Sequence, residues 1–167
     1  MKNIIFLLIV LGACTAKQQT DQSESNTRWY KGNTHTHTTL CGHADSHPDT
    51  VALWYLDRGY NFLILSEHNQ FIDPESVNLP ENRREDFILV PGEEVTDYKH
   101  VHTTAMNIDR EVPVKYPTDL SQWENAAKTN IKSFLMQIHV DSIRSVSGVP
   151  ILNHPNWQSG VAASEML

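Results

Sequence analysis

The run YNFLILS, residues 60–66, follows HPDTVALWYLDRG, residues 47–59, with no gap between them. Four consecutive large apolar residues, Phe62 to Leu65, are too few for a helix and suit a strand covered on both faces. The preceding segment reads as a helix: Pro48 fits the first turn, Asp49 favours the helix dipole, and Gly59 stops it. RWYKGNTHTHT before it is strand-like, rich in aromatic and threonine residues. Strand, helix and buried strand in this order make a β-α-β unit, which forces a parallel pair and a covered sheet.

Further along, DFILVPGEE is a second short buried strand ended by Pro91 and Gly92, and HVHTTAMNI (100–108) is a third. Ile131, Phe134, Leu135 and Ile138 recur at helical spacing, and Gly148 precedes the strand VPILN. The expectation is an α/β chain with a mainly parallel sheet or barrel in one domain. In such folds functional groups collect at the carboxyl ends of strands. After the first strand come His35, His37 and His43; after FLIL come Glu67 and His68; after FILV come Glu93 and Glu94; after PIL comes His154.

His35 and His37 are two apart on an extended segment, so both rings project to one face and reach one ion at about 2.0–2.2 Å. A carboxylate such as Glu94 bridges two ions and supplies the charge that neutral imidazoles lack. Histidine and carboxylate ligands without cysteine suit Zn, Mn or Fe(II). An isolated H-x-H means little; ligand residues at four separate strand exits point to one metal site.

These motifs resemble the PHP (polymerase and histidinol phosphatase) metallohydrolases from Trp29 to Trp157. His35 and His37 look like the family's opening H-x-H, and His43 matches the third histidine of its multi-metal members. ILSEHN is similar to the family's ITDHN, with His68 in the ligand position and Glu67 where aspartate is usual. VPGEEVT resembles the G-x-E segment and makes Glu94 the bridging carboxylate; NHPNW resembles the HP motif and makes His154 a ligand. KHVHTT corresponds to a segment that supplies one more histidine, so His100 or His102 completes the set, with His100 favoured. The resemblance implies a distorted seven-stranded, TIM-like β/α barrel holding two or three divalent ions. It implies hydrolysis of a small-molecule phosphoester by water activated between the ions, with Glu94 and His68 at the reacting centre.

Family members finish the site with a D-x-H motif, and none follows His154. Such barrels need on the order of 200–250 residues, against 167 here. The expectation is that residues 29–167 form the N-terminal part of the domain. Two other readings stay open: a hydrolase of carboxylic or carbamate esters on the same fold, and an inactive metal-binding surface lipoprotein.

Residues 1–13, MKNIIFLLIVLGA, have the charged start, apolar run and small-residue end of an export signal. LGAC resembles a bacterial lipobox, which implies lipidation at Cys14, and residues 14–28 read as a polar tether. The expected location is therefore the bacterial cell envelope, on its periplasmic or surface side, with the membrane as partner through the lipid. A net charge of −7 without a basic block argues against binding to the phosphate backbone of nucleic acids. Of the remaining polar residues, Asp45 reads as a loop group, His47 as a helix cap, His139 as partly buried packing, Cys41 as a small buried residue and Trp54 as core.

Overall fold

The computed structural model describes residues 27–97 and 101–166. The export signal, Cys14 and nearly all of the tether lie outside them, as does His100. Strand β1 (Gly32–Asn33) leads into helix α1 (Pro48–Asp57), which returns to β2 (Phe62–Leu63). His47 caps α1 by accepting from the Asp49 amide, Pro48 occupies the first turn, and Gly59 leaves the helix at φ +70°. Strand β3 (Ile88–Leu89) joins β2 on its other side, and β1-β2-β3 is parallel throughout.

The second sheet departs from the expected parallel order. Strands β4 (Gly92–Thr96), β5 (His102–Met106) and β6 (Val149–Leu152) are antiparallel neighbours in that order. The connection from β4 to β5 spans only residues 97–101, which permits a hairpin and is too short for a parallel crossover. Helices α2 (Leu120–Lys128) and α3 (Ile131–Ser145) fill the long connection from β5 to β6. The Ile131 periodicity gives α3, capped by Asn130. Helix α2 has no counterpart among the predicted elements; its signal is the Asp119 side chain accepting from the Ser121 amide ahead of a mostly polar segment.

The two sheets meet where the chain runs on past β2. Glu94 donates its amide to the Glu67 carbonyl and accepts from the Asn69 amide, both at 2.9 Å. Across the same segment, the Ser66 amide donates to the Thr36 carbonyl at 2.8 Å. The exits of β1 and β2 and the middle of β4 are thereby held side by side. No closed barrel forms among the described residues.

Apolar packing sits behind this seam. Ala52, Leu56, Leu63 and Phe87 form one core under α1, and Val95, Ala105 and Ile143 form a second beneath the antiparallel sheet. Gly92 lies where a Cβ would fall 2.6 Å from the Ala105 carbonyl oxygen and 2.7 Å from Ile64 Cγ2. Any larger residue there would push β4, and Glu94 with it, off β5. Trp54 is a correction: it stands 47% exposed on the outer side of α1, with the Arg58 guanidinium 3.9 Å above its ring. Among the described residues no helix is long and apolar enough to cross a membrane.

Candidate metal centre

Neighbouring strand residues point to opposite faces, and this separates the two glutamates of β4. The Glu94 carboxylate is fully buried and faces the histidines. His68 Nδ1 lies 2.9 Å from its Oε2, His37 Nε2 3.4 Å from Oε2, His154 Nε2 3.2 Å from Oε1, His102 Nδ1 3.4 Å from Oε1, and His35 Nε2 3.7 Å from Oε1. Five imidazoles from four segments thus surround one carboxylate. His35 and His37 turn their Nε2 atoms towards each other at 3.3 Å, as two extended residues on one face should. His43 is exposed on the loop above, its ring centroid 4.5 Å from that of His68.

A shell of hydroxyls and one amide orients these groups. Ser66 Oγ and Thr104 Oγ1 lie 3.2 and 3.3 Å from His35 Nδ1, leaving Nε2 directed at Glu94. Thr96 Oγ1 is 2.6 Å from His68 Nδ1. Asn153 Nδ2 donates to Glu94 Oε1 and to Thr104 Oγ1, each at 2.8 Å. Thr104 is the cross-strand partner of Glu94, and Asn153 follows the last residue of β6, so the antiparallel sheet itself brings them in. His154 has φ +21°, a sparsely populated conformation for a residue with a Cβ. It turns its ring back onto Glu94 immediately before Pro155.

Burial disfavours the imidazolium form at His35, His37 and His68, and it outweighs the pull of Glu94; His68 is brought down to about 4. Burial alone would push Glu94 up, but the close His102 ring, the hydrogen bond from Asn153 and the field of His35 carry it down to about 2. At neutral pH the centre therefore pairs unprotonated His35, His37 and His68 with an ionised carboxylate, the protonation states that metal ligation needs. Glu94 Oε2 and His102 Nδ1 are both buried without a hydrogen-bond partner among the described residues. Buried lone pairs left in this state are costly, and a divalent cation would satisfy them. Ligand atoms of His35, His37 and Glu94 lie within 4.8 Å of one another, and so do those of His68, Glu94 and His102. The donor set fits two borderline ions sharing one carboxylate.

Of the residues anticipated from sequence, His35, His37, His43, His68, Glu94, His102 and His154 gather here, and His100 lies outside the described residues. Asp45 is exposed on the loop. His139 is a correction: it is wholly buried on α3, with Nδ1 3.3 Å from Thr103 Oγ1 and Nε2 3.6 Å from Asp97 Oδ2. Cys41 is a second: it is half-buried beside the centre, with Sγ 3.3 Å from His37 Nδ1. Thr96, Thr104, Ser66 and Asn153 carry no sequence signal of their own, because each acts through a contact made across strands.

Glu93, on the opposite face, is as buried as Glu94, but only its Oε1 is engaged, accepting from the Val112 amide at 3.1 Å. Burial pushes its carboxyl up to about 7. A group raised in the fold binds protons there that it gives up when unfolded, so the fold weakens as pH climbs from 4.5 to about 7. Glu93→Gln is therefore expected to stabilise the protein at pH 8 by up to about 3 kcal/mol, with the gain shrinking by pH 5. Urea unfolding at the two pH values measures it, and an equal effect at both would refute the assignment.

No protein-family model matches this chain, and no curated protein matches it.

Proposed function

We propose that the chain is a metal-dependent hydrolase of the PHP type acting on small phosphoesters. The observation that carries this reading is the fully buried Glu94 carboxylate surrounded by five imidazoles within 3.7 Å. A parallel β1-β2-β3 layer crossed by α1, with the ligand residues at its carboxyl ends, fits the N-terminal part of a distorted β/α barrel. Two or three divalent ions, zinc, manganese or iron, would be held by His35, His37, His43, His68, Glu94, His102 and His154. Such ions lower the pKa of bound water and neutralise phosphoryl oxygens.

The chain's own residues do the remaining work. Glu94 balances cationic charge from a buried position where no water competes with it. Ser66, Thr96 and Thr104 hold the rings of His35 and His68 in place, so little reorganisation is needed when substrate arrives. His68, stacked on His37 with ring centroids 4.6 Å apart, stands between Glu94 and the exposed His43, where a phosphoryl group enters. His154 and Trp157, with ring centroids 5.8 Å apart, border the same open side.

The test is hydrolysis of p-nitrophenyl phosphate, its diester and p-nitrophenyl acetate by protein loaded with manganese or zinc. Phosphoesterase activity should fall by more than about 100-fold in the His35→Ala, His37→Ala double variant. Undiminished activity in that variant would overturn the mechanism, and cleavage of the acetate alone would move the reading to carboxylic esters. Export and anchoring rest on residues 1–14: the chain should partition with membranes when expressed in a bacterium, and Cys14→Ser should release it.

A further inference from the structure

Cys41 occupies the loop between His37 and His43, folded by the Thr39 amide donating to the Ser46 carbonyl at 3.0 Å and by Gly42 at φ +74°. Its Sγ is 3.3 Å from His37 Nδ1, and the ligand atoms of His37, Cys41 and His68 lie within 4.8 Å of one another. Sulfur and nitrogen ligands of one tetrahedral zinc stand about 3.5 Å apart, given bonds of about 2.3 and 2.0 Å. His43 closes the group on the solvent side, its ring 5.5 Å from that of His37 and 4.5 Å from that of His68.

A separate observation points to a cation at the same place. Glu67 is wholly buried, and its Oε2 accepts from the Cys41 amide at 3.2 Å. Its Oε1 is buried with no hydrogen-bond partner among the described residues. A cation beside such a group would offset the cost of burying its lone pairs, and none of the chain's lysines or arginines forms a salt bridge with it among the described residues. Glu94 is already surrounded by its own five imidazoles, so Glu67 is a second buried carboxyl group, set beside Cys41 instead.

We propose that Cys41 is a thiolate ligand of a further metal position, outside the pair that shares Glu94, formed with His37 and His68 and charge-balanced by Glu67. A thiolate among imidazoles selects a thiophilic ion such as zinc over manganese or magnesium. Loading exchanges protons for the ion: Cys–SH and M²⁺ give Cys–S–M⁺ and a proton. A ring of His37 or His68 that also serves the Glu94 pair through its other nitrogen gives up its N–H proton to bridge as imidazolate, all protons passing to bulk water. The proposal shares the metal-site reading above and is independent of the hydrolytic one.

Cobalt(II) is the probe, added to the full 167-residue chain. Loaded protein should show a near-ultraviolet sulfur-to-cobalt charge-transfer band beside the visible bands of cobalt in nitrogen and oxygen sites. Cys14→Ser should retain the charge-transfer band, and Cys41→Ser should lose it together with one equivalent of tightly held cobalt, while the visible bands persist. Absence of the band from the unmodified chain, with the visible bands present, overturns the proposal and reduces Cys41 to a hydrogen-bond partner of His37. Survival of the band in Cys41→Ser overturns it too. Both readouts are independent of hydrolysis, so a protein with the band and no phosphoesterase activity refutes the function and leaves the ligand assignment standing. As a check that needs no variant, zinc should slow iodoacetamide alkylation of Cys41 at least tenfold, reversibly with chelator, and equal rates with and without zinc count against it.

Discussion

Glu94→Gln is expected to abolish tight metal loading and to lower phosphoesterase activity by more than about 100-fold, the scale of removing one preorganised electrostatic group. The amide keeps the shape of the side chain and one acceptor oxygen for Asn153 Nδ2, now at 2.8 Å from Glu94 Oε1, so the fold should survive. What disappears is the negative charge that would offset two cations among the imidazoles. The unmodified protein should gain about 2.7 kcal/mol from zinc at one hundred times its dissociation constant, read as a rise in thermal midpoint. Glu94→Gln should show almost none of that rise. Glu93→Gln is the matched control, since Glu93 is equally buried one residue away on the other face, and it should keep both metal and activity. A Glu94→Gln protein that retains a full complement of zinc would show that the carboxylate is structural.

The second large effect concerns acid. In metal-free protein, His35, His37, His68 and His139 all resist protonation because burial penalises the imidazolium, whereas the unfolded chain protonates them freely. The unfolded state then binds more protons, so stability falls as pH drops. For His68 the loss runs from 6.5 down to about 4 and amounts to on the order of 3 kcal/mol. Glu94 adds to it between 4.5 and about 2, since its stabilised ionised form is lost as it protonates. Glu93 acts in the opposite sense between 4.5 and about 7, but it is one group against four histidines. Chelated protein should therefore lose several kcal/mol between pH 7 and pH 4, and His68→Gln should flatten part of that slope. Zinc at pH 7 should deepen the dependence, because protons then compete with metal for the same nitrogens. A flat urea midpoint across this range would contradict the burial of these rings.

Several local features were legible before any tertiary contact was known. Pro48, His47 and Gly59 delimit α1 because caps and stops act within one turn. The Phe62–Leu65 run reads as a strand because four consecutive apolar residues leave no polar position for a solvent face, although only Phe62–Leu63 pair as β2. The G-x-E resemblance alone picks Glu94 over Glu93, and strand alternation in the fold then puts the two on opposite faces. Trp54 misled because α1 is apolar around much of its circumference, so composition did not mark which side faced water, and Arg58 one turn later covers the ring. Helix α2 went unread because its segment is mostly polar and its N-cap signal is a single residue.

The sequence by itself determined which residue types stand at the strand exits and where the first helix starts and stops, since both depend on neighbours along the chain. Only the tertiary structure decided that β4, β5 and β6 run antiparallel, that Asn153 and Thr104 hold Glu94 and His35, and that Cys41 sits against His37. Those outcomes depend on contacts between residues as much as 69 positions apart, as between His35 and Thr104, and no local periodicity encodes a distance across strands. The histidine cluster was written in the chain; the polar atoms of Glu67, Glu94 and His102 left buried without hydrogen bonds, on which the proposed metal positions rest, emerged only on folding.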